Sequence, residues 1–259
     1  LGQYTYLGTT DDYHPEYEYW PPVTDLDVSY LLSATQKAMP EASLSPDRIV
    51  SVWSGIRPLV SDGSGRASKE LSRKDEVWTS PSGLLSVGGG KLSAYRAMAE
   101  RIVDMVIENH GFTGKSCTTA DVPLPGGDAV VLAQDLPAVD NVQAERLARL
   151  YGAEAPGLIR SAGEEDLVKA EVRQAVHREG ALRLEDYWAR RSSRAWFDAR
   201  AGLPVLDQAA LAMAGLLGWD DARTAAEIEN CLEIDRASRA GFQASTTWKG
   251  AGDDCRAAG

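Results

Sequence analysis

The apolar positions of this chain follow two regimes. Up to about residue 112 they sit in short runs that read mostly as strands, interrupted by two helical stretches. From about residue 141 onward they recur at steps of three and four, the period of amphipathic helices. The sharpest pattern is Leu84 to Arg96, LLSVGGGKLSAYR: an apolar run, three glycines, a lysine and then a helical stripe. Leu92, Tyr95, Ala99, Ile102 and Val106 share one face, while Arg101, Asp104 and Glu108 fall mainly off it. The helix is predicted to run to about His110 and to stop at Gly111.

The other elements follow from the same reading. Residues 2–10 alternate as a strand, with Tyr4 and Tyr6 on one face and Thr5 and Leu7 on the other, and Gly8-Thr9-Thr10-Asp11 ends it. Asp25 to Met39 is predicted helical and closed by Pro40. Residues 47–57 form a second predicted strand, with Ser51, Trp53, Gly55 and Arg57 on one face and Pro58 at its end. A polar loop at 61–70 and a short strand near Glu76–Thr79 precede the turn Pro81-Ser82-Gly83. Residues 112–140 are extended and rich in turn formers such as Pro123, Pro125 and Gly126-Gly127. Helices are then predicted at 141–151, 164–179, 184–193, 205–217 and 221–239, with Gly218 to Asp221 ending one and capping the next. In the last of them Ala225, Ile228 and Leu232 form the stripe.

The predicted class is therefore α+β: part of a mixed β-sheet domain over residues 1–112, an all-α domain over 113–244, and a small-residue polar tail at 245–259 predicted to be disordered. The chain lacks an initiator methionine and opens on a strand pattern, which reads as the C-terminal part of a longer protein.

Composition narrows the function classes. With 27 basic and 38 acidic residues the formal charge is −11, a poor surface for nucleic acid or anionic lipid, so no nucleic-acid partner is expected. No run of 18 apolar residues marks a membrane span, and the first residues lack the basic and apolar regions of a signal peptide. Cys117, Cys231 and Cys255 are too widely spaced for a disulfide framework or a zinc site, and His14, His110 and His177 are equally scattered, so no metal site is expected. These features point to a reducing, cytoplasmic setting.

Chemistry concentrates at the glycine corner. Gly88, Gly89 and Gly90 let backbone approach a ligand, the helix start that follows points N–H groups at it, and Lys91 adds a full positive charge. The alternative reading is a tight connecting turn, which carries about half the weight on its own. The pattern is neither Gly-x-Gly-x-x-Gly nor a P-loop, and GFTGKS at 111–116 also fails as a P-loop because its glycines are too close together. Arg57, Arg73 and Lys91 each sit beside a turn, where a guanidinium or ammonium suits a phosphate or carboxylate; for any single one, a solvent-facing charge is the commoner case. Thr9, Thr10 and Asp11 suit either a hydroxylated ligand or a plain strand-ending turn. The arginines of Arg190-Arg191-Ser192-Ser193-Arg194 are expected on a solvated or interdomain salt-bridge face, and Trp188, Trp196 and Trp219 in a helical core.

In order along the chain, GTTD at 8–11, GIRPL at 55–59, SRKDEV at 72–77, GGGKLSAYRAMAE at 88–100 and PLPGG at 123–127 together resemble the C-terminal half of the FAD-dependent glycerol-3-phosphate dehydrogenases. The resemblance continues through VKAEVRQAVHREGALRLEDYWARR at 168–191 and covers nearly everything but the tail. It implies that residues 1–112 complete the sheet facing flavin and substrate and that 113–244 form the helical C-terminal cap. It implies that Gly88, Gly89, Gly90, Lys91, Leu92 and Ser93 lie near the isoalloxazine and ribityl end of FAD, stabilising negative charge at flavin N1 and O2. It implies that Arg57 and Arg73 bind substrate phosphate, with Thr9, Thr10 and Lys91 lining the same pocket. Where some members carry His or Tyr this chain has Asp75, so no catalytic base is assigned.

The activity so implied is oxidation of sn-glycerol 3-phosphate to dihydroxyacetone phosphate by hydride transfer to flavin, with electrons passed to a quinone. The whole protein would then attach peripherally to the inner face of the cell membrane. Two other readings remain at this level. One is a glycerol-3-phosphate oxidase using oxygen. The other is a non-catalytic helical interaction module, disfavoured because half a sheet leaves an unpaired edge.

Overall fold

The computed structural model describes residues 4–12, 14, 16, 18–57, 60, 75–163 and 166–240. In chain order its elements are α1 (Asp25–Ala38), β1 (Asp75–Thr79), β2 (Leu85–Gly89), α2 (Tyr95–His110), α3 (Asn141–Tyr151), α4 (Ala155–Ala162), α5 (Leu167–Glu179), α6 (Arg194–Phe197), α7 (Leu206–Leu217) and α8 (Asp221–Arg239). The chain divides into two units: one of Leu1–Thr10, Glu18–Gly55 and Ala129–Gly259, the other of Asp11–Tyr17 and Ile56–Asp128.

The helix starts follow local chemistry. Thr24 and Asp27 form a reciprocal capping box on α1: the Asp27 N–H donates to Thr24 Oγ1, and the Thr24 N–H donates to Asp27 Oδ2. Asp140, Asp166 and Asp220 cap α3, α5 and α8, each carboxylate accepting an otherwise unpaired N–H of the first turn. The 164–179 helix of the sequence reading thus starts at Leu167, behind its aspartate, and α4 is an additional helix over 155–162. The 184–193 segment is wound as a π-helical stretch from Asp186 to Arg191.

The larger unit holds the core. Val172 and Ala175 of α5, Leu184 and Trp188, Leu206, Ala209 and Met213 of α7, and Cys231 and Ile234 of α8 are buried together. A second cluster joins Ala144, Leu147 and Tyr151 of α3 to Ala155 and Leu158 of α4. Full burial of each Leu or Met side chain contributes about 1.5–3 kcal/mol. The Trp188 indole N–H is satisfied by the Ala201 carbonyl at 2.7 Å, so its polar edge adds no desolvation cost.

The β expectations need correction. Among the described residues the sheet is one antiparallel hairpin, β1 with β2. The mixed sheet is not among them. The described parts of 2–10 and 47–57 carry no ladder, and Pro46–Arg48 forms a 3-10 turn. Alternating sequence alone cannot pair a strand; its N–H and C=O groups need a neighbouring backbone in register. Here the two segments meet through side chains instead. Tyr6 stacks on Trp53 with centroids 5.3 Å apart, and Leu7, Ile49 and Val52 pack on Val23, Val28 and Leu32.

The smaller unit is thinly packed. None of its described residues is buried, and α2 keeps its whole stripe at least partly in solvent. No described helix is long and apolar enough to cross a membrane.

Candidate functional site

The glycine corner forms as the sequence predicts. β1 pairs with β2 from Asp75 opposite Gly89 to Thr79 opposite Leu85. Gly88 passes close to its neighbours: a Cβ there would meet the Trp78 ring at 3.2 Å and Val60 at 3.0 Å. Gly89 and Gly90 then take φ of 74° and 88°, a left-handed path that L side chains rarely follow. A Cβ on Gly90 would also overlap the Met98 thioether, so the turn binds tightly over α2.

That turn delivers Lys91 to the start of a 3-10 turn, Leu92–Ala94, which leads into α2. No side chain caps either start, and neither first turn contains a carboxylate. The positive end of the segment therefore has neither a capping side chain nor a first-turn carboxylate among the described residues. Lys91, Leu92 and Ser93 are exposed, Leu92 at 88%. Asp75 lies beside Gly90 and is paired with Arg101 of α2. A cation, an uncapped helical start and exposed backbone fit the electron-rich edge of a flavin.

The remaining predicted residues go to other partners. Arg57 pairs with Asp11 at 3.1 Å, both partly exposed. Thr10 hydrogen-bonds Asp27; burial pushes the Asp27 carboxyl up, and the bonds from Thr24 and Thr10 outweigh it, holding it below its ordinary value. Thr9 is exposed. Arg73 and its neighbours, like Pro58 and the tail beyond 244, lie outside the described residues.

Sequence reading missed a buried ionic network in the larger unit. Glu171, fully buried, accepts from Arg146 Nη1 at 2.6 Å and Nη2 at 2.8 Å, and from Arg194 Nη2 at 2.7 Å. The Tyr151 hydroxyl donates to it at 3.3 Å. Arg194 also donates to the Tyr187 hydroxyl at 3.2 Å and to Asp198 at 2.6 Å. Burial would raise the Glu171 carboxyl, but the hydrogen bonds and charges of Arg146 and Arg194 outweigh it and hold it below its ordinary value. Burial, then the Glu171 charge, pushes the Tyr151 and Tyr187 phenols up, so both stay protonated.

Of the solvated or interdomain salt-bridge face expected for 190–194, Arg194 departs from the solvated alternative: it is 4% exposed and forms salt bridges within the larger unit. Arg190 packs against the Tyr19 and Trp20 rings at 5.6 and 5.4 Å and pairs with Glu185 at 3.1 Å. Arg191 donates to the Glu179 carbonyl at 2.8 Å. The available signal was Glu171 itself, which shares the apolar stripe of α5 with Val168, Val172 and Ala175. A charge at a core position needs a buried partner. This network is fully satisfied and closed to solvent, so its chemistry is structural.

Residues 117–224, most of them in the larger unit, match the C-terminal domain of alpha-glycerophosphate oxidase. The chain is 31% identical over 257 residues to the aerobic glycerol-3-phosphate dehydrogenase of Staphylococcus aureus strain USA300, covering 90% of this chain and 45% of that protein. The protein of strain NCTC 8325 gives the same values. The fold is similar to glycerol-3-phosphate dehydrogenase from Bacillus halodurans complexed with FAD, with a TM-score of 0.66 and 26% identity over 86% of this chain and 47% of that one. The chain spans about half the length of these relatives. The likenesses support its recognition as a C-terminal part of an FAD-dependent glycerol-3-phosphate dehydrogenase.

Proposed function

We propose that this chain serves the oxidation of sn-glycerol 3-phosphate to dihydroxyacetone phosphate in an FAD-dependent dehydrogenase. The observation that carries the reading is the uncapped Gly88–Ser93 corner, exposed from Lys91 to Ser93, in a chain with this likeness to glycerol-3-phosphate dehydrogenases. FAD, when bound, supplies the hydride acceptor. The rest falls to residues of the protein. In this proposal the backbone of Gly88, Gly89, Gly90, Leu92 and Ser93, with Lys91, holds the flavin edge where negative charge develops.

Arg57 and Arg73 bind the substrate phosphate, and Thr9, Thr10 and Lys91 are the other substrate-binding residues of this proposal. Arg57 is then exchanged from Asp11 to the phosphate on binding, a swap between anions that leaves the guanidinium paired throughout. Residues 1–112 belong to the FAD and substrate domain with its mixed sheet, and 113–244 form the helical cap. A quinone takes the electrons, with the whole protein peripheral at the inner face of the cell membrane.

The test uses the complete polypeptide containing this chain. Its anaerobic flavin absorbance is recorded before and after sn-glycerol 3-phosphate. Bleaching in the wild type that is lost in Arg57→Ala and in Arg73→Ala supports the reading. A bound flavin that stays oxidised in the wild type overturns the substrate assignment.

A second acceptor, oxygen, is favoured by one observation, the likeness of 117–224 to an oxidase domain. Hydrogen peroxide formed in step with substrate, in place of quinone reduction, would decide for it.

A further inference from the structure

The end of the β1–β2 hairpin carries an ion pair to which the proposed chemistry gives no part. Asp75 opens β1 and stands opposite Gly89, the first of the two left-handed glycines. A Cβ on Gly90 would come within 3.3 Å of the Asp75 Cβ and would overlap the Met98 thioether. Met98 and Arg101 lie three apart on α2 and therefore on one face. That face meets the hairpin end twice, through Met98 against Gly90 and through Arg101 paired with Asp75. Both contacts bear on the turn that delivers Lys91 to its helical start.

The pair also sets the charge there. Lys91 and the uncapped start are positive, and Asp75 puts a carboxylate beside them. Its Oδ2 is closed to solvent and accepts no hydrogen bond among the described residues, so Arg101 is its described counter-charge. The Asp75 side chain is mostly buried and that of Arg101 half-exposed, so losing the arginine would leave a poorly hydrated negative charge next to the corner. Other acids nearby are differently placed. Glu76 follows on the opposite face of the strand and is exposed, and Glu100 is paired with Arg96 at 2.7 Å.

We propose that Arg101 is a positioning residue for the flavin, acting through Asp75: it cancels a carboxylate that would otherwise oppose negative charge at the flavin edge. The inference rests on the reading of Gly88–Ser93 as the flavin site. Its signature is a sign. Arg101→Gln leaves the corner more negative, and Asp75→Asn leaves it more positive. Both break the same contact, so a purely mechanical strap would answer both changes alike, whereas a charge effect answers them in opposite directions.

The test uses the complete polypeptide containing this chain, with its FAD. Flavin is equilibrated anaerobically against a reference dye, the ratio of reduced to oxidised flavin is read by absorbance, and circular dichroism verifies the folding of each variant. At a fixed poise the ratio should fall about tenfold in Arg101→Gln and rise in Asp75→Asn. A tenfold change corresponds to about 30 mV for a two-electron couple. Arg101→Lys, which keeps the charge, and the double variant D75N/R101Q, which removes both charges, should stay close to the wild type. Shifts of the same sign in the two single variants, or an unchanged ratio in either, overturn the inference. So does a double variant that keeps the full shift of Arg101→Gln. A wild type that holds flavin but is not bleached by sn-glycerol 3-phosphate overturns the substrate assignment alone, because the dye and not the substrate sets the ratio. A wild type that holds no flavin overturns both.

Discussion

At the scale of single residues, Glu171 decides how the helical unit tolerates change. Its carboxylate is bound by two buried guanidiniums, so removing its charge takes from Arg146 the carboxylate it pairs with and leaves Arg194 with Asp198. Glu171→Gln should lower stability by about 3–5 kcal/mol, read as a shift of the thermal midpoint. A loss within the error of the measurement would mean the two arginines find other partners.

The same group sets an acid limb. Its folded carboxyl titrates below its unfolded value, so its stabilisation is present above the unfolded value, near 4.5, and fades as pH falls through the folded one. Denaturation curves from pH 6 to 3 should therefore steepen in the wild type and flatten in Glu171→Gln. Burial also pushes the Cys231 thiol up to about 12, whereas Cys117 is exposed. Iodoacetamide at pH 8 should label Cys117 and spare Cys231 until the chain is unfolded, with peptide mass spectrometry as the readout.

At the scale of elements, the junction from β2 to α2 is the tightest local constraint in the smaller unit. Gly90 combines a left-handed φ of 88° with no room for a Cβ beside Met98. Gly90→Ala should shift α2 relative to the hairpin, seen as chemical-shift changes from Lys91 to Met98. Gly111, which ends α2 at φ 64°, has open space around it. Gly111→Ala should cost only about 1 kcal/mol, the conformational penalty without a clash. Similar effects at the two positions would contradict the packing of Met98 against the turn.

At the scale of the whole molecule, stability is unevenly distributed. The buried core lies in the larger unit, while none of the described residues of the smaller unit is buried. Opening free energy follows buried apolar contact, so amides of α2 should exchange far faster than those of α5 and α7. Limited trypsin digestion of the purified chain should cut within 56–128 first and leave a helical fragment that retains its dichroism. Equal protection of α2 and α5 would show a core in the smaller unit.

The sequence by itself determined several helices and their ends, because an apolar stripe, an aspartate before it and a glycine after it act within a single turn; α4, the start of α5 and the π-helical winding at 186–191 were not read. Asp140, Asp220, Gly111 and Gly218 mark boundaries that the structure repeats. It determined the glycine corner for the same reason, since a left-handed turn followed by Lys91 is a local event. Strand pairing was not legible. Tyr4 to Leu7 and Ile49 to Arg57 alternate correctly, yet a ladder depends on which backbone lies alongside. The buried network was equally hidden. Arg146, Glu171 and Arg194 are 25 and 23 residues apart, and only the packing of α3, α5 and α6 brings opposite charges to one point away from water. Local order is written in neighbouring residues; the partner of a strand or of a buried charge is chosen by tertiary structure, because only folding decides what replaces the water each has lost.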